Sequence, residues 1–155
     1  MSTRELCKAV VGVTVLALGL GAADNPFVGT WKLNPTKSKL EGSGLGSVVT
    51  SRIEQDGTGL RVSVDSPIQG QPNTFTYQAS LDGKFVKVTG SPTTDEISTQ
   101  RINLRTITAT GKKDGKVAYT DRRVVSADGK TITIVRSGVN PQGQKYHARL
   151  VFDKQ

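Results

Sequence analysis

The chain holds one histidine, His147, and one cysteine, Cys7, so the chemistry open to it is narrow. A lone imidazole rules out a histidine-rich metal site. A serine triad would have to recruit the same residue as its base, and no Gly-x-Ser-x-Gly elbow occurs. Alternation along 145–154 sets His147 on the face of Arg149 and Asp153, opposite Tyr146, Ala148, Leu150 and Phe152, which places it outside. Among the carboxylates, Asp121 shares strand parity with Tyr119 and Arg123. Such a group can act as an acid or base if its pKa is shifted, and serves equally as a structural ion pair. Asp95 and Glu96 are adjacent, so on a strand they point to opposite faces and make a poor dyad. The Gly-rich stretch 42–46 neither follows a strand nor opens a long helix, which makes it a portal loop rather than a phosphate loop. No motif here calls for a cofactor, and no catalytic residue is assigned.

Charge narrows the field further. Residues 24–100 carry 7 Lys and Arg against 8 Asp and Glu, whereas 101–155 carry 12 against 4. In a meander the later strands are neighbours, so this excess can collect on one side and draw anions at long range. Three readings stay open: a solvated exterior that guards strand edges, contact with an anionic surface or polymer, or arginines turned inward onto an anionic ligand. Arg101, Arg123 and Arg136 are the inward candidates, because each shares parity with apolar residues of its strand. Nucleic acid is not an expected partner, since the basic half has only Tyr119, Tyr146 and Phe152 to stack on bases.

The elements that position these groups are strands. From residue 47 onward apolar or β-branched residues alternate with polar ones, the period of half-buried β-structure. The expected strands are 30–33, 47–55, 60–66, 74–81, 84–89, 97–104, 106–112, 117–126, 131–137 and 145–154. Asp56-Gly57, Asp82-Gly83, Asp114-Gly115 and Asp128-Gly129 supply the positive φ of tight hairpins between them. No turn signal separates 97–104 from 106–112, so the count is nine or ten. A single helical turn is expected at 35–40, with Asn34 as its cap. An antiparallel sheet of this size hides its apolar face and its edges most simply by closing.

Residues 1–23 have the three parts of a secretory signal peptide: Arg4 and Lys8 in a polar head, an apolar run over 9–21, and Gly21-Ala22-Ala23 before Asp24. The run falls short of the roughly 20 residues that span a bilayer. Cysteine in a lipoprotein signal follows the apolar run, whereas Cys7 precedes it, so lipidation is not expected. Cleavage after Ala23 would leave 24–155 as one cysteine-free domain with no disulfide. A periplasmic or secreted bacterial protein, monomeric and without a membrane span once processed, is the expectation.

Phe27-Val28-Gly29-Thr30-Trp31-Lys32-Leu33 opens the strand series with Gly29-x-Trp31, and Leu150-Val151-Phe152-Asp153-Lys154-Gln155 closes it. In these two ends the chain resembles the calycins, the lipocalin-like and fatty-acid-binding-protein-like barrels, and among them small secreted bacterial proteins with a lipocalin-like domain. The resemblance implies an all-β fold, one antiparallel up-and-down barrel, with Gly29 and Trp31 structural and the indole packed across the closed base. It also implies a cation over Trp31, for which Arg149 and Arg136 are candidates. The Arg-x-Tyr pair by which fatty-acid-binding barrels hold a carboxylate is replaced here by Leu150 and Phe152.

The first functional reading is an exported, non-enzymatic binding protein that takes a small apolar or amphiphilic molecule into its barrel. By strand parity the lining would be Val62 and Val64, Phe75 and Tyr77, Phe85, Tyr119 and Arg123, Ile132 and Ile134, and Leu150 and Phe152. Four Phe, three Tyr and one Trp are few large side chains for a packed interior, which favours a hollow one. Two alternatives remain: an envelope or interaction protein with a filled barrel and a working basic exterior, or a barrel enzyme built on interior Asp121, Arg123 and Tyr119.

Overall fold

The computed structural model describes residues 24–155; the expected signal segment 1–23 lies outside the described residues. Ten antiparallel strands follow one another: β1 (Gly29–Leu33), β2 (Thr50–Asp56), β3 (Gly59–Asp65), β4 (Thr74–Ala79), β5 (Asp82–Thr89), β6 (Glu96–Asn103), β7 (Thr106–Lys113), β8 (Lys116–Val125), β9 (Thr131–Val139) and β10 (Lys145–Lys154). Each pairs with its sequence neighbour and β1 pairs with both β2 and β10, so the sheet closes into an up-and-down barrel. Closure gives every strand two partners and leaves no edge. Helix is absent among the described residues.

The Gly-x-Trp opening has a plain physical cause. Trp31 is fully buried, and its indole N–H donates to the Phe27 carbonyl at 2.9 Å. Lys154, at the end of β10, crosses above it with its ammonium 5.2 Å from the ring centroid. The lysine stem passes over Gly29, where φ is +141° and where any Cβ would sit 2.7 Å from Lys154 Cε. Only glycine satisfies both the backbone angle and the space. The cation over the tryptophan is therefore Lys154 and neither Arg149 nor Arg136. Arg149 lies outside and donates to the Lys37 carbonyl, while Arg136 stacks on another ring inside.

Several expectations shift by a residue or two. Between β6 and β7, Leu104 and Arg105 form a separate tight turn, so there are ten strands and not nine. Its signal is Asn103, whose side-chain oxygen accepts the Arg105 N–H at 3.0 Å, an Asx turn that needs no glycine. The helical turn at 35–40 does not form. Asn34 does cap, accepting the Lys37 N–H, but the segment turns once and lies on β10, where Lys39 bridges Arg149. That strap buries Val151 from outside.

Asp82-Gly83 is the informative miss. The β4–β5 turn is Ser80-Leu81, with Leu81 at φ +63°, and the positive φ of Gly83 (+85°) falls inside β5 as a bulge. The register slips between Asp82 and Phe85. One extra residue reverses which side chains face in.

Removing the floor of the barrel should be costly. Trp31→Ala is expected to lose about 3–5 kcal/mol in urea unfolding, whereas Lys154→Ala, which removes only a cation at the ring, should lose about 1 kcal/mol or less.

Candidate ligand cavity

The strands enclose a cavity of about 1150 Å³, against roughly 300–1,000 Å³ for typical small-molecule sites. The interior is hollow, not filled. Phe27, Trp31, Leu60 and Phe152 form its floor, at the end where the β2–β3, β4–β5, β6–β7 and β8–β9 turns gather. The opposite end is a mouth framed by residues 43–46, 66–69, 91–94 and 139–142. The Gly-rich loop takes its place at that mouth, pinned by the Ser43 hydroxyl, which bonds the Leu40 carbonyl and accepts the Leu45 N–H.

Paired strands bring most of the expected lining together. Val62 and Val64 on β3 stand opposite Tyr77 and Phe75 on β4, and Ile132 and Ile134 on β9 stand opposite Phe152 and Leu150 on β10. These, with Tyr119 and Arg123 on β8, line the cavity. Phe85 does not. It shares the parity of exposed Lys87 and stands on the outer wall, 40% exposed, under the Lys112 ammonium at 3.8 Å, while Val86 and Val88 take the inner face of β5. Arg101 stays at the β6–β7 turn and donates to the Leu104 carbonyl. His147 sits on the outer wall with Nδ1 2.9 Å from the Ser137 hydroxyl. Among the described residues no three His, Cys, Asp or Glu side chains converge as metal ligands.

The wall formed by β8 and β9 carries a polar cluster. Asp121 is buried, with none of its side chain exposed, and both of its oxygens are taken. Arg123 Nε donates to Oδ1 at 2.9 Å and Nη2 to Oδ2 at 3.2 Å; Arg136 Nη2 donates to Oδ2 at 2.7 Å and Nε to the same oxygen at 3.2 Å. Cross-strand pairing of Asp121 with Arg136 puts them on one face. Arg123 Nη1 also donates to the Tyr77 hydroxyl at 2.9 Å, across the cavity on β4. The Arg136 guanidinium lies flat on Tyr119, 3.9 Å from the ring centroid. Room for these rings comes from two glycines. A methyl at Gly111 would strike the Tyr119 ring, and one at Gly138 would lie 2.7 Å from the Tyr146 hydroxyl.

Burial by itself would raise the Asp121 pKa, but the guanidiniums of Arg123 and Arg136 outweigh it and hold the carboxyl below its ordinary value. A carboxylate so occupied is held in its ionised form, the arrangement of a structural ion pair. Burial pushes the Tyr119 hydroxyl up, against the pull of Arg136, so the phenol keeps its proton. Within this cluster two guanidiniums against one carboxylate leave one positive charge in excess, on the wall of a chamber whose lining is mainly apolar. Arg136, one of the three inward candidates, and Tyr146, on the inward face of β10, also line this site. Both were legible from parity, Tyr146 with Leu150 and Phe152, Arg136 with Ile132 and Ile134.

The geometry has solved counterparts. A crystal structure of a mutant of the fluorescent protein UnaG superposes with a TM-score of 0.53 at 16% identity, over 83% of this chain and 95% of that one. Zebrafish ileal bile acid-binding protein, complexed with cholic acid, superposes with a TM-score of 0.52 at 13% identity, over 84% of this chain and 99% of that one. The fold is a calycin barrel of the fatty-acid-binding-protein type. No family model matches the chain, and no curated protein matches it. At these identities the likeness speaks for the calycin fold alone, and the cavity must be read from its own residues.

Asp121 makes stability depend on pH. Its folded-state pKa lies below the unfolded value of about 3.9, so the pairing contributes in full above that pH and is lost as the pH falls through the folded value. Urea unfolding should show stability dropping below about pH 4. Asp121→Asn, which strands two buried guanidiniums, should cost about 3–5 kcal/mol at neutral pH and flatten part of that acid limb.

Proposed function

We propose that this protein is an exported, non-enzymatic carrier whose barrel takes one small amphiphilic molecule with a single anionic head. The observation that carries the reading is the surplus guanidinium charge of Arg123 and Arg136 on the wall of a chamber lined mainly by apolar and aromatic side chains, with hydroxyls such as Ser51 and Thr99 among them and Lys113 and Lys116 also in the lining. A buried charge without a partner is costly, and a ligand carboxylate or sulfonate laid against Arg136 would neutralise it. The tail would then lie on Val62, Val64, Phe75, Ile134 and Leu150. This clamp differs from an Arg-x-Tyr pair on the last strand, since here β8 and β9 supply the cations and β10 supplies only apolar contacts. Two further points support a carrier: the mouth is open between flexible-residue loops rich in Gly and Ser, and Asp121, the sole interior carboxylate of the cluster, is engaged by both arginines.

Displacement of anilinonaphthalene sulfonate tests the head group. Deoxycholate should compete at least about tenfold better than its uncharged methyl ester, the value of a charge-assisted hydrogen bond in a dry site. Arg136→Met keeps the Asp121–Arg123 pair but removes the excess charge, and should bring acid and ester to within a few-fold of each other. Equal binding of both by the unmodified protein, or failure of every probe to enter, would overturn the proposal.

Export rests on the residues before Asp24. Expression of the full chain in a bacterial host should yield a protein whose intact mass begins at Asp24, recovered outside the cytoplasm. A cytoplasmic product of unchanged length would remove that part of the reading.

A further inference from the structure

The two walls of the barrel treat their surface cations differently. On the β2–β5 side each of several cations has an acid beside it: Arg52 meets Asp65 at 2.6 Å, Arg61 meets Asp56 at 2.8 Å and Lys84 meets Asp82 at 3.3 Å. On the β8–β10 side the outward positions carry Arg122, Lys145 and Arg149, none of them in a salt bridge among the described residues, and the one outward acid, Asp153, is taken by Lys37. Of the four acids of this half, Asp114 lies in the β7–β8 turn and the other three are engaged elsewhere. Asp121 is inside, Asp153 pairs with Lys37, and Asp128 is bound to Ser126 and the Lys130 amide in its turn.

The cations also stand in a row. Arg122 pairs with Val135, Val135 with Arg149, and Arg149 with Lys39 of the strap, so one line across the sheet reads Arg-Val-Arg-Lys. With strands roughly 4.8 Å apart, the two arginines are separated by about 10 Å. The next line is Thr120, Ser137 and His147, hydroxyls and an imidazole. A row of unpaired cations beside a row of hydrogen-bonding groups fits a linear polymer that carries carboxylates at regular intervals with hydroxyls between.

We propose that the outer wall of β8–β10 docks an acidic polysaccharide, with Arg122, Arg149 and Lys145 gripping its carboxylates. Two other polyanionic surfaces fit less well. The aromatics of these strands, Tyr119, Tyr146 and Phe152, all face the cavity, so the wall has no stacking platform for nucleic acid. A bilayer would look for aromatic or long aliphatic anchors, and the large apolar side chains that β8–β10 expose, Val117, Val124, Val135 and Val139, are all short valines. The proposal is independent of what the cavity holds.

Polygalacturonate is the probe, with binding to the protein (residues 24–155) followed by titration calorimetry at low and at physiological salt. Arg122→Ser/Arg149→Ser should weaken binding by about tenfold or more and reduce its salt slope, and Lys145→Ser should weaken it by a smaller factor. Arg52→Ser/Lys84→Ser removes the same charge from the opposite wall and should change affinity less than about twofold, since those cations are already partnered. Unchanged thermal melts and unchanged uptake of anilinonaphthalene sulfonate will show that the variants are folded. The proposal is overturned if the opposite-wall variant loses as much as the Arg122/Arg149 variant, or if the protein does not bind polygalacturonate. Tighter binding to phosphatidylglycerol vesicles or single-stranded DNA at equal salt would overturn it as well.

Discussion

A barrel with an empty middle cannot be held together by its middle. The backbone ladder closes through β1, five residues long, which pairs with β10 on one side and β2 on the other. Everything above depends on that short strand staying in place. Its anchor is Trp31, fully buried at the floor, bonded to Phe27 and roofed by Lys154. Burial of one indole and its neighbours Phe27, Leu60, Val125 and Phe152 concentrates apolar contact where the turns converge, at about 25 cal/mol per Å² removed from water. The chamber above is left open at the cost of packing that a filled core would have supplied.

The second constraint is electrostatic, and it opposes the first. Three ionised side chains are held on the inner face of β8 and β9, where desolvation disfavours each of them. Asp121 makes the arrangement tolerable because it meets both guanidiniums at once. Tyr77 and Tyr119 complete it by hydrogen bond and by ring face. The pairing is incomplete by one charge, and under the proposed function that surplus would orient a guest, so stability and binding would draw on the same carboxylate.

The exterior follows separate rules. Strand parity places Arg122 and Arg149 outside for the same reason that it places Arg123 and Leu150 inside, so the two faces of one strand carry independent sets of side chains. Cations such as Arg52, Arg61 and Lys84 have acid partners on one wall, whereas Arg122, Lys145 and Arg149 on the other have none among the described residues.

The strand series, its hairpin turns at Asp56-Gly57 and Asp114-Gly115, the closed architecture and the inner faces of β3, β4, β9 and β10 were legible in the amino-acid sequence, because side chains in a regular strand alternate with a period of two whatever surrounds them. Asp121, Tyr119 and Arg123 could be placed on one face by the same counting. Parity says nothing about which strand will lie opposite, so the meeting of Arg136 with Asp121, of Lys154 with Trp31 and of Arg123 with Tyr77 was decided only by tertiary pairing across distant residues. Register is likewise beyond counting: Asp82-Gly83 looks the same as a turn or as a bulge, and the structure makes it a bulge inside β5, while Phe85 follows the parity of exposed Lys87, opposite Val86 and Val88. Local alternation is a property of the chain, whereas register and closure are properties of the whole sheet.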